Sequence, residues 1–350
     1  MADTFLESLA RSGESQIVQA TLVSATGSSS KKLGAKMLIG ASGKLLGGVT
    51  IGGCVDAQVI EASDALIASG GRRLLDISLD DDEAWEIGLT CGGQIGVLVE
   101  RIAPSDAADP VVSSYAAVRG AIDADRSAVV ATLLDGPRVS LVFDENGTRT
   151  GTLGDAALDD AAVSIALDVL RSGSRLESIA TPAGERRAFF DCFAPPTTLV
   201  IVGAGQIAMS LTRLASELEM RTIVIDGRDR YATRDRFPDA GEIRVGMPSE
   251  IVAGITLGRR TAVILVAHDY KYELPVLRQV IRSSAGYVGM LGSKKRGSSV
   301  RDMLRDEGFT DDELSRVRTP IGLDIGGKSS PEVALAILAE VVATRSGKRA

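Results

Sequence analysis

Three cysteines and one histidine are the whole stock of thiol and imidazole chemistry in 350 residues. Two of the cysteines are set in glycine. Gly52-Gly53-Cys54 leads into Val55, Val59, Ala62 and Leu66, whose spacing predicts a helix over residues 54–69. A thiol at a helix N-terminus is favoured as thiolate by the helix dipole. Thr90-Cys91-Gly92-Gly93 places a second thiol in a glycine loop just before a strand. Small neighbours leave a sulfur open to a bulky ligand, whereas core cysteines sit among branched apolar side chains. Cys192, within Phe189-Phe190-Asp191-Cys192-Phe193, has aromatic surroundings and reads as packing. This inventory excludes a four-cysteine zinc site and any two-histidine metal site within one chain. The odd cysteine count fits reduced thiols rather than a disulfide framework.

The second constellation is Leu199-Val200-Ile201-Val202-Gly203-Ala204-Gly205-Gln206-Ile207-Ala208, a G-x-G-x-x-A turn between an apolar strand and a helix. Gly203 permits the tight turn, Gly205 lets backbone N–H groups approach a pyrophosphate, and Ala208 allows close helix–strand packing. Asp226 ends the next strand, where a carboxylate can accept from ribose hydroxyls. Arg228 and Arg230 follow it and would suit a 2′-phosphate, or simply be solvated. His268-Asp269 follows the strand 261–267, so His268 is a candidate acid, base or ligand anchor, or a hydrogen-bonded structural residue. Ser293 and Lys294, in Gly292-Ser293-Lys294-Lys295-Arg296, follow another strand of the same half. Gly322-Leu323-Asp324-Ile325-Gly326-Gly327-Lys328-Ser329 matches the P-loop pattern letter for letter, but only 21 residues follow it. An ATPase is therefore disfavoured, leaving an anion cradle using Asp324, Gly326 and Lys328, or a helix cap with Ser330 at the N-cap and Pro331 at the first helical position. Ser28-Ser29-Ser30-Lys31-Lys32 could meet a phosphate or be a solvated basic turn, and Asp80–Glu83 could be a solvated loop or a docking segment.

The elements that must position these residues divide at Ala194-Pro195-Pro196, where two prolines interrupt any sheet or helix. Residues 1–194 read as a mixed α+β domain, with strands near 16–23, 35–39, 44–46, 73–79 and 95–102, a hairpin about Asp135-Gly136, and a helix over 158–170. Residues 104–110 read as a connection. Residues 195–350 alternate strands and helices, the pattern of a Rossmann-like, doubly wound parallel sheet. No internal repeat is evident. The net charge of −7 and 4% aromatic content argue against a nucleic-acid partner. No apolar run approaches a membrane span, and the acidic N-terminus lacks a secretory signal, so the expected location is the cytoplasm.

Taken together the motifs resemble the XdhC/CoxI family of molybdenum-hydroxylase accessory proteins, from about residue 16 to 344. The resemblance is carried by Gly27-Ser28-Ser29, Gly34-Ala35-Lys36-Met37, Gly52-Gly53-Cys54-Val55-Asp56 and Trp85-Glu86-Ile87-Gly88-Leu89-Thr90-Cys91-Gly92-Gly93. It continues through Gly203-Ala204-Gly205, His268-Asp269, Val288-Gly289-Met290-Leu291-Gly292-Ser293 and Pro320-Ile321-Gly322-Leu323-Asp324-Ile325-Gly326. Ser30 stands where relatives often have proline, and Asp56 where they often have glutamate. The resemblance implies a chaperone that binds a molybdopterin-type molybdenum cofactor, supports its sulfuration with a cysteine desulfurase, and delivers it to an apo molybdenum hydroxylase. It implies Cys54 and Cys91 as thiols near the molybdenum, with Gly52, Gly53, Gly92 and Gly93 giving close backbone approach. The Rossmann cleft would then hold a phosphate or nucleotide tail, or NAD(P). Independent turnover is not expected, and a homodimer is. The competing readings are an NAD(P)-dependent oxidoreductase with His268 as proton donor, and a non-catalytic ligand sensor.

Overall fold

The computed structural model describes residues 13–26, 32–49, 53–79, 93–181 and 184–346. Contacts divide the chain into two compact units, Met1–Pro195 and Pro196–Ala350. The first runs β1 (Ile17–Ala25), β2 (Lys36–Ile39), β3 (Leu45–Gly48), α1 (Gly53–Ser69), β4 (Arg72–Leu79), β5 (Gly93–Ile102), α2 (Pro110–Asp123), β6 (Ala128–Leu133), β7 (Ser140–Asp144), β8 (Arg149–Gly151), α3 (Ala156–Ser172), β9 (Arg175–Thr181) and β10 (Gly184–Phe193). Helix α2 is an element the sequence reading passed over. Asp109 caps it, accepting from the Val111 N–H, and Pro110 fills its first position.

Its two five-stranded sheets are one design built twice, which corrects the expectation of no internal repeat. The first has order β3-β2-β1-β5-β4 and the second β8-β7-β6-β10-β9. Every pairing in both is antiparallel. In each, a 17-residue helix joins the third strand to the fourth. The registers superpose: Thr21 lies between Lys36 and Leu98 as Thr132 lies between Ser140 and Phe189. Gly48 and Gly151 are equivalent, opposite Met37 and Leu141. Their φ values are +88° and +89°, and a Cβ would lie 2.1 Å from the Lys36 carbonyl oxygen or 2.4 Å from that of Ser140. Only glycine fits either place without a shift of backbone.

Residues of β1 are buried on both faces because the repeats pack sheet to sheet with a helix outside each. Val18, Ala20 and Leu22 meet Val55, Val59 and Leu66 of α1, while Val129, Ala131 and Leu133 meet Leu158, Ala162 and Val169 of α3. Between the sheets, Ile17, Leu38 and Ile102 pack with Ala128, Val130 and Phe193, and α2 adds Tyr115, Val118 and Ile122. Cys192 packs against the outer core of the second repeat, as its aromatic setting suggested.

The second unit runs β11 (Thr198–Val202), α4 (Gln206–Glu217), β12 (Arg221–Asp226), β13 (Glu242–Val245), α5 (Pro248–Ala253), β14 (Thr261–Leu265), α6 (Tyr270–Val280), β15 (Tyr287–Met290), α7 (Lys294–Asp306), α8 (Asp311–Ser315), β16 (Val317–Arg318) and α9 (Ser330–Arg345). Its sheet has order β13-β12-β11-β14-β15-β16 and all pairs are parallel. The chain leaves β11 to one side and returns to the other, so the switch point lies between β11 and β14. Helices α4 and α9 cover one face, and α6 and α7 the other. No helix among the described residues is long and apolar enough to cross a membrane.

Candidate functional site

In the first unit, antiparallel pairing brings five strand ends to one end of the first sheet. Ala25 pairs near Ile95, Lys36 opposite Thr21, Gly48 opposite Met37, and Leu79 opposite Gly93. Helix α1 follows β3 and so begins at that same end. Gly53 and Cys54 are its first two residues, with Asp56 also in the first turn. Gly93 opens β5. Gly52, Cys91 and Gly92 lie outside the described residues, as do Ser28–Lys31, Asp80–Glu83 and most of the Trp85–Gly93 motif. The connections 26–35, 49–52 and 80–92 all leave from this end. In the second repeat the equivalent connections are 134–139, 152–155 and 182–183. The thirteen positions of 80–92 thus correspond to two.

Sequence reasoning missed a buried polar seam between the two sheets. Gln19 and Thr21 fall on the alternate face of β1, which period two alone assigns to solvent, yet both are buried. Lys36 forms an ion pair with Asp191 and donates to the Gly34 carbonyl at 3.0 Å. The Ser174 hydroxyl donates to Asp191 at 2.9 Å. Arg138 grips Asp109 through two 2.9 Å bonds and reaches Glu100 at 3.2 Å. The Tyr115 hydroxyl donates to Gln19 at 2.8 Å. Glu100 and Asp191 hold equivalent positions on β5 and β10, so each repeat offers an acid to a cation of the other. Burial pushes the Glu100 carboxyl up from its ordinary value, opposed by Arg138 and Arg72. Burial likewise pushes the Tyr115 hydroxyl well up. Gln19, Thr21, Lys36, Glu100, Tyr115 and Asp191 line a cavity of about 30 Å³, room for one or two water molecules. Of the seam residues, Gly34 and Lys36 lay in a motif singled out from sequence, and Asp191 lay beside Cys192 in a stretch read as packing.

In the second unit, the sequence-selected residues converge on the carboxyl edge of the parallel sheet. Gly203 and Gly205 follow β11, Asp226 ends β12, His268 follows β14, and Ser293 and Lys294 follow β15. Asp324, Gly326 and Lys328 follow β16 and precede α9. Gly203 has φ +110°, and a Cβ there would meet the Ala267 backbone at 2.7 Å, so the turn is pressed against the end of β14. His268 is exposed with φ +57°, its N–H donating to Glu273 at 3.0 Å. Glu273 is fully buried and paired with Arg296 at 2.5 Å. The geometry therefore fixes His268 by its backbone and leaves its ring at the surface. Asp269 caps α6 and Ser293 caps α7, accepting from Lys271 and Arg296 N–H groups.

Two expectations are corrected here. Asp226 is not free to take ribose hydroxyls, because N–H groups of Ala204 and Arg228 already engage both oxygens. Burial would raise its pKa, but those hydrogen bonds and the Arg228 charge hold it below the ordinary aspartate value. The P-loop lookalike is a helix cap: Ser329, not Ser330, is the N-cap, and Ser330 precedes Pro331 in the helix. Glu332 completes a capping box and accepts from the Lys328 and Ser329 N–H groups at 3.0 and 2.9 Å. A carboxylate thus occupies the place an anion would need. The Ser329-x-x-Glu332 spacing was the signal for it. Lys328 and Asp324 are exposed. Among the described residues no three His, Cys, Asp or Glu side chains cluster as metal ligands.

Comparison with known proteins yields a consistent picture. The XdhC and CoxI family matches residues 10–78, and the XdhC Rossmann domain matches residues 199–341. A probable subunit of xanthine dehydrogenase from Bacillus subtilis (strain 168) is 26% identical over 344 residues, covering 98% of this chain and 97% of its own. The Escherichia coli (strain K12) molybdenum cofactor insertion chaperone PaoD is 26% identical over 329 residues, 94% of this chain and 83% of its own. A crystal structure described as a xanthine dehydrogenase from Bacillus halodurans superposes with a TM-score of 0.77 at 23% identity, covering 99% of this chain and 96% of the other. That likeness establishes the fold.

Proposed function

Because this chain belongs to the XdhC and CoxI family, we propose that it is an accessory chaperone that binds molybdenum cofactor and inserts it into an apo hydroxylase of the xanthine dehydrogenase type. The observation that carries this reading is the gathering of strand ends β1, β2, β3, β4 and β5 with the start of α1 at one end of the first sheet. Cys54 sits at the second position of α1, and Cys91 lies two residues before β5. The cofactor is anionic cargo that brings its own dithiolene sulfurs to molybdenum. What the protein must add is soft thiolate, close backbone and a protected surface. Cys54 and Cys91 would supply the thiolates, the first favoured by its helix N-terminus. Gly52, Gly53, Gly92 and Gly93 would let main chain approach.

The finer parts of the proposal are a cysteine desulfurase partner, with sulfuration of the cargo before delivery, and a cytoplasmic homodimer as the working form. The carboxyl edge of the second unit, with Gly203, Gly205, His268, Ser293 and Lys294, would take a phosphate-bearing part of a ligand. The oxidoreductase alternative loses its main support at Asp226, whose acceptor sites are filled from within.

Reconstitution tests the proposal. Molybdenum cofactor, the purified chain and an apo xanthine dehydrogenase are mixed, and hydroxylase activity is followed together with pterin retained on the chain. A chaperone must release its cargo, so the expected result is faster activation with less than one pterin per chain at isolation. Activation no faster than with free cofactor, together with hydride transfer from NAD(P)H by the chain alone, would overturn it.

A further inference from the structure

A dinucleotide fold ordinarily ends its second strand with a carboxylate that reads a ribose diol by accepting hydrogen bonds. Here that carboxylate has nothing left to accept with. Asp226 Oδ1 takes the Arg228 N–H and Nε–H, each at 2.9 Å, while Oδ2 takes the Ala204 N–H at 2.7 Å and Arg228 Nη2 at 2.8 Å. A carboxylate has about four lone-pair sites, and all are used. Asp226 is 3% exposed, so solvent does not compete for them.

The partner faces the other way. The Arg228 side chain is 47% exposed, and its guanidinium lies 4.0 Å from the Tyr231 ring centre. Carboxylate fork and ring together hold it in one orientation, which removes much of the entropy cost of using it. Among the described residues, no group of the protein takes its Nη1 hydrogens. Arg236 braces the same corner, donating to the carbonyls of Ala204 at 3.1 Å and Tyr231 at 2.6 Å. Arg230, also exposed, adds a cation beyond the neutral Asp226–Arg228 pair. The strand end that normally presents acceptors therefore presents donors.

We propose that this corner selects a nucleotide whose ribose 2′-oxygen carries a phosphate monoester, and discriminates against the free 2′,3′-diol. A diol would meet donors and no acceptor, whereas a phosphate oxygen meets a fixed guanidinium suited to two-bond recognition. The proposal rests on the reading of this edge as a phosphate-binding cleft and is independent of which cargo the first unit carries.

Calorimetric titration of the full-length chain with adenosine 2′,5′-bisphosphate and with 5′-AMP tests it. The bisphosphate should bind at least about tenfold more tightly. In Arg228→Gln the two affinities should draw within about threefold of each other, with Arg230→Gln intermediate. Equal or reversed affinities in the unaltered protein, no binding of either compound, or an unchanged preference in a folded Arg228→Gln would each overturn the proposal. Should Arg228→Gln fail to fold, the ratio measured on the unaltered chain decides alone. A chain that delivers molybdenum cofactor without this preference defeats this inference only. A chain with the preference but no delivery defeats the chaperone reading only.

Discussion

The two repeats of the first unit share strand order, register, helix length and the glycine that ends the third strand. They differ at one end. There the first repeat makes connections of up to thirteen residues and carries Cys54 and Cys91, while the second turns from β9 to β10 with two. The shared part is what the sheet-on-sheet core requires. The unshared part is where the proposed cargo site falls. One β-β-β-α-β-β plan stands as scaffold on both sides of a polar seam, and the proposed chemistry belongs to the connections of one copy.

Exchanging those connections is the most drastic way to break the comparison. Replacing residues 80–92 by Pro182-Ala183 should abolish cofactor delivery while circular dichroism and melting show a folded chain. Loss of the fold would mean that the segment is part of the scaffold. Cutting the seam comes next. Lys36→Met leaves the Asp191 carboxylate buried without its cation and should cost about 3–5 kcal/mol in urea unfolding of the first unit. The double variant Lys36→Met/Asp191→Leu should recover most of that loss. If the single variant costs nothing, the pair is not the seam's anchor.

Gly48→Ala and Gly151→Ala sharpen the equivalence itself. Each forces a Cβ against a carbonyl at positive φ, so each should cost about 2 kcal/mol or more. Very different costs would deny that the two positions are the same. The smallest effect concerns pH. Burial raises the Glu100 pKa above 4.5, so the folded form holds that proton more tightly than the unfolded one. Its contribution therefore lowers stability as pH rises from 4.5 through the raised value. Glu100→Gln should flatten that slope in melting temperature against pH, and an unchanged slope would assign it elsewhere.

How much of this the sequence revealed depended on how far apart the determinants lie. The Rossmann half was legible because Leu199–Ala208 puts strand, turn and helix within ten residues, and apolar strands at 222–226 and 261–265 follow it. The repeat was legible in one place, Val18-Gln19-Ala20-Thr21-Leu22 against Val129-Val130-Ala131-Thr132-Leu133, but a five-residue match is short and the equivalences around it change residue type. Lys36 answers to Ser140, Gln19 to Val130 and Glu100 to Asp191, while Gly48 and Gly151 match at the sheet edge. Nothing in the alternation of β1 tells that a second sheet covers Gln19 and Thr21. The position of Asp226 was readable from its spacing, but its saturation by Arg228 is a matter of side-chain direction. Cys54 was placed correctly at a helix start.

The central claim, that the first repeat's connections hold the cargo, is tested most directly by equilibrium titration of molybdenum cofactor onto three chains. These are the unaltered protein, Cys54→Ser/Cys91→Ser, and Cys192→Ser, whose sulfur belongs to the second repeat's core. The account predicts binding weakened by about tenfold or more in the double variant and unchanged in Cys192→Ser. Undiminished binding by a folded Cys54→Ser/Cys91→Ser protein would contradict it.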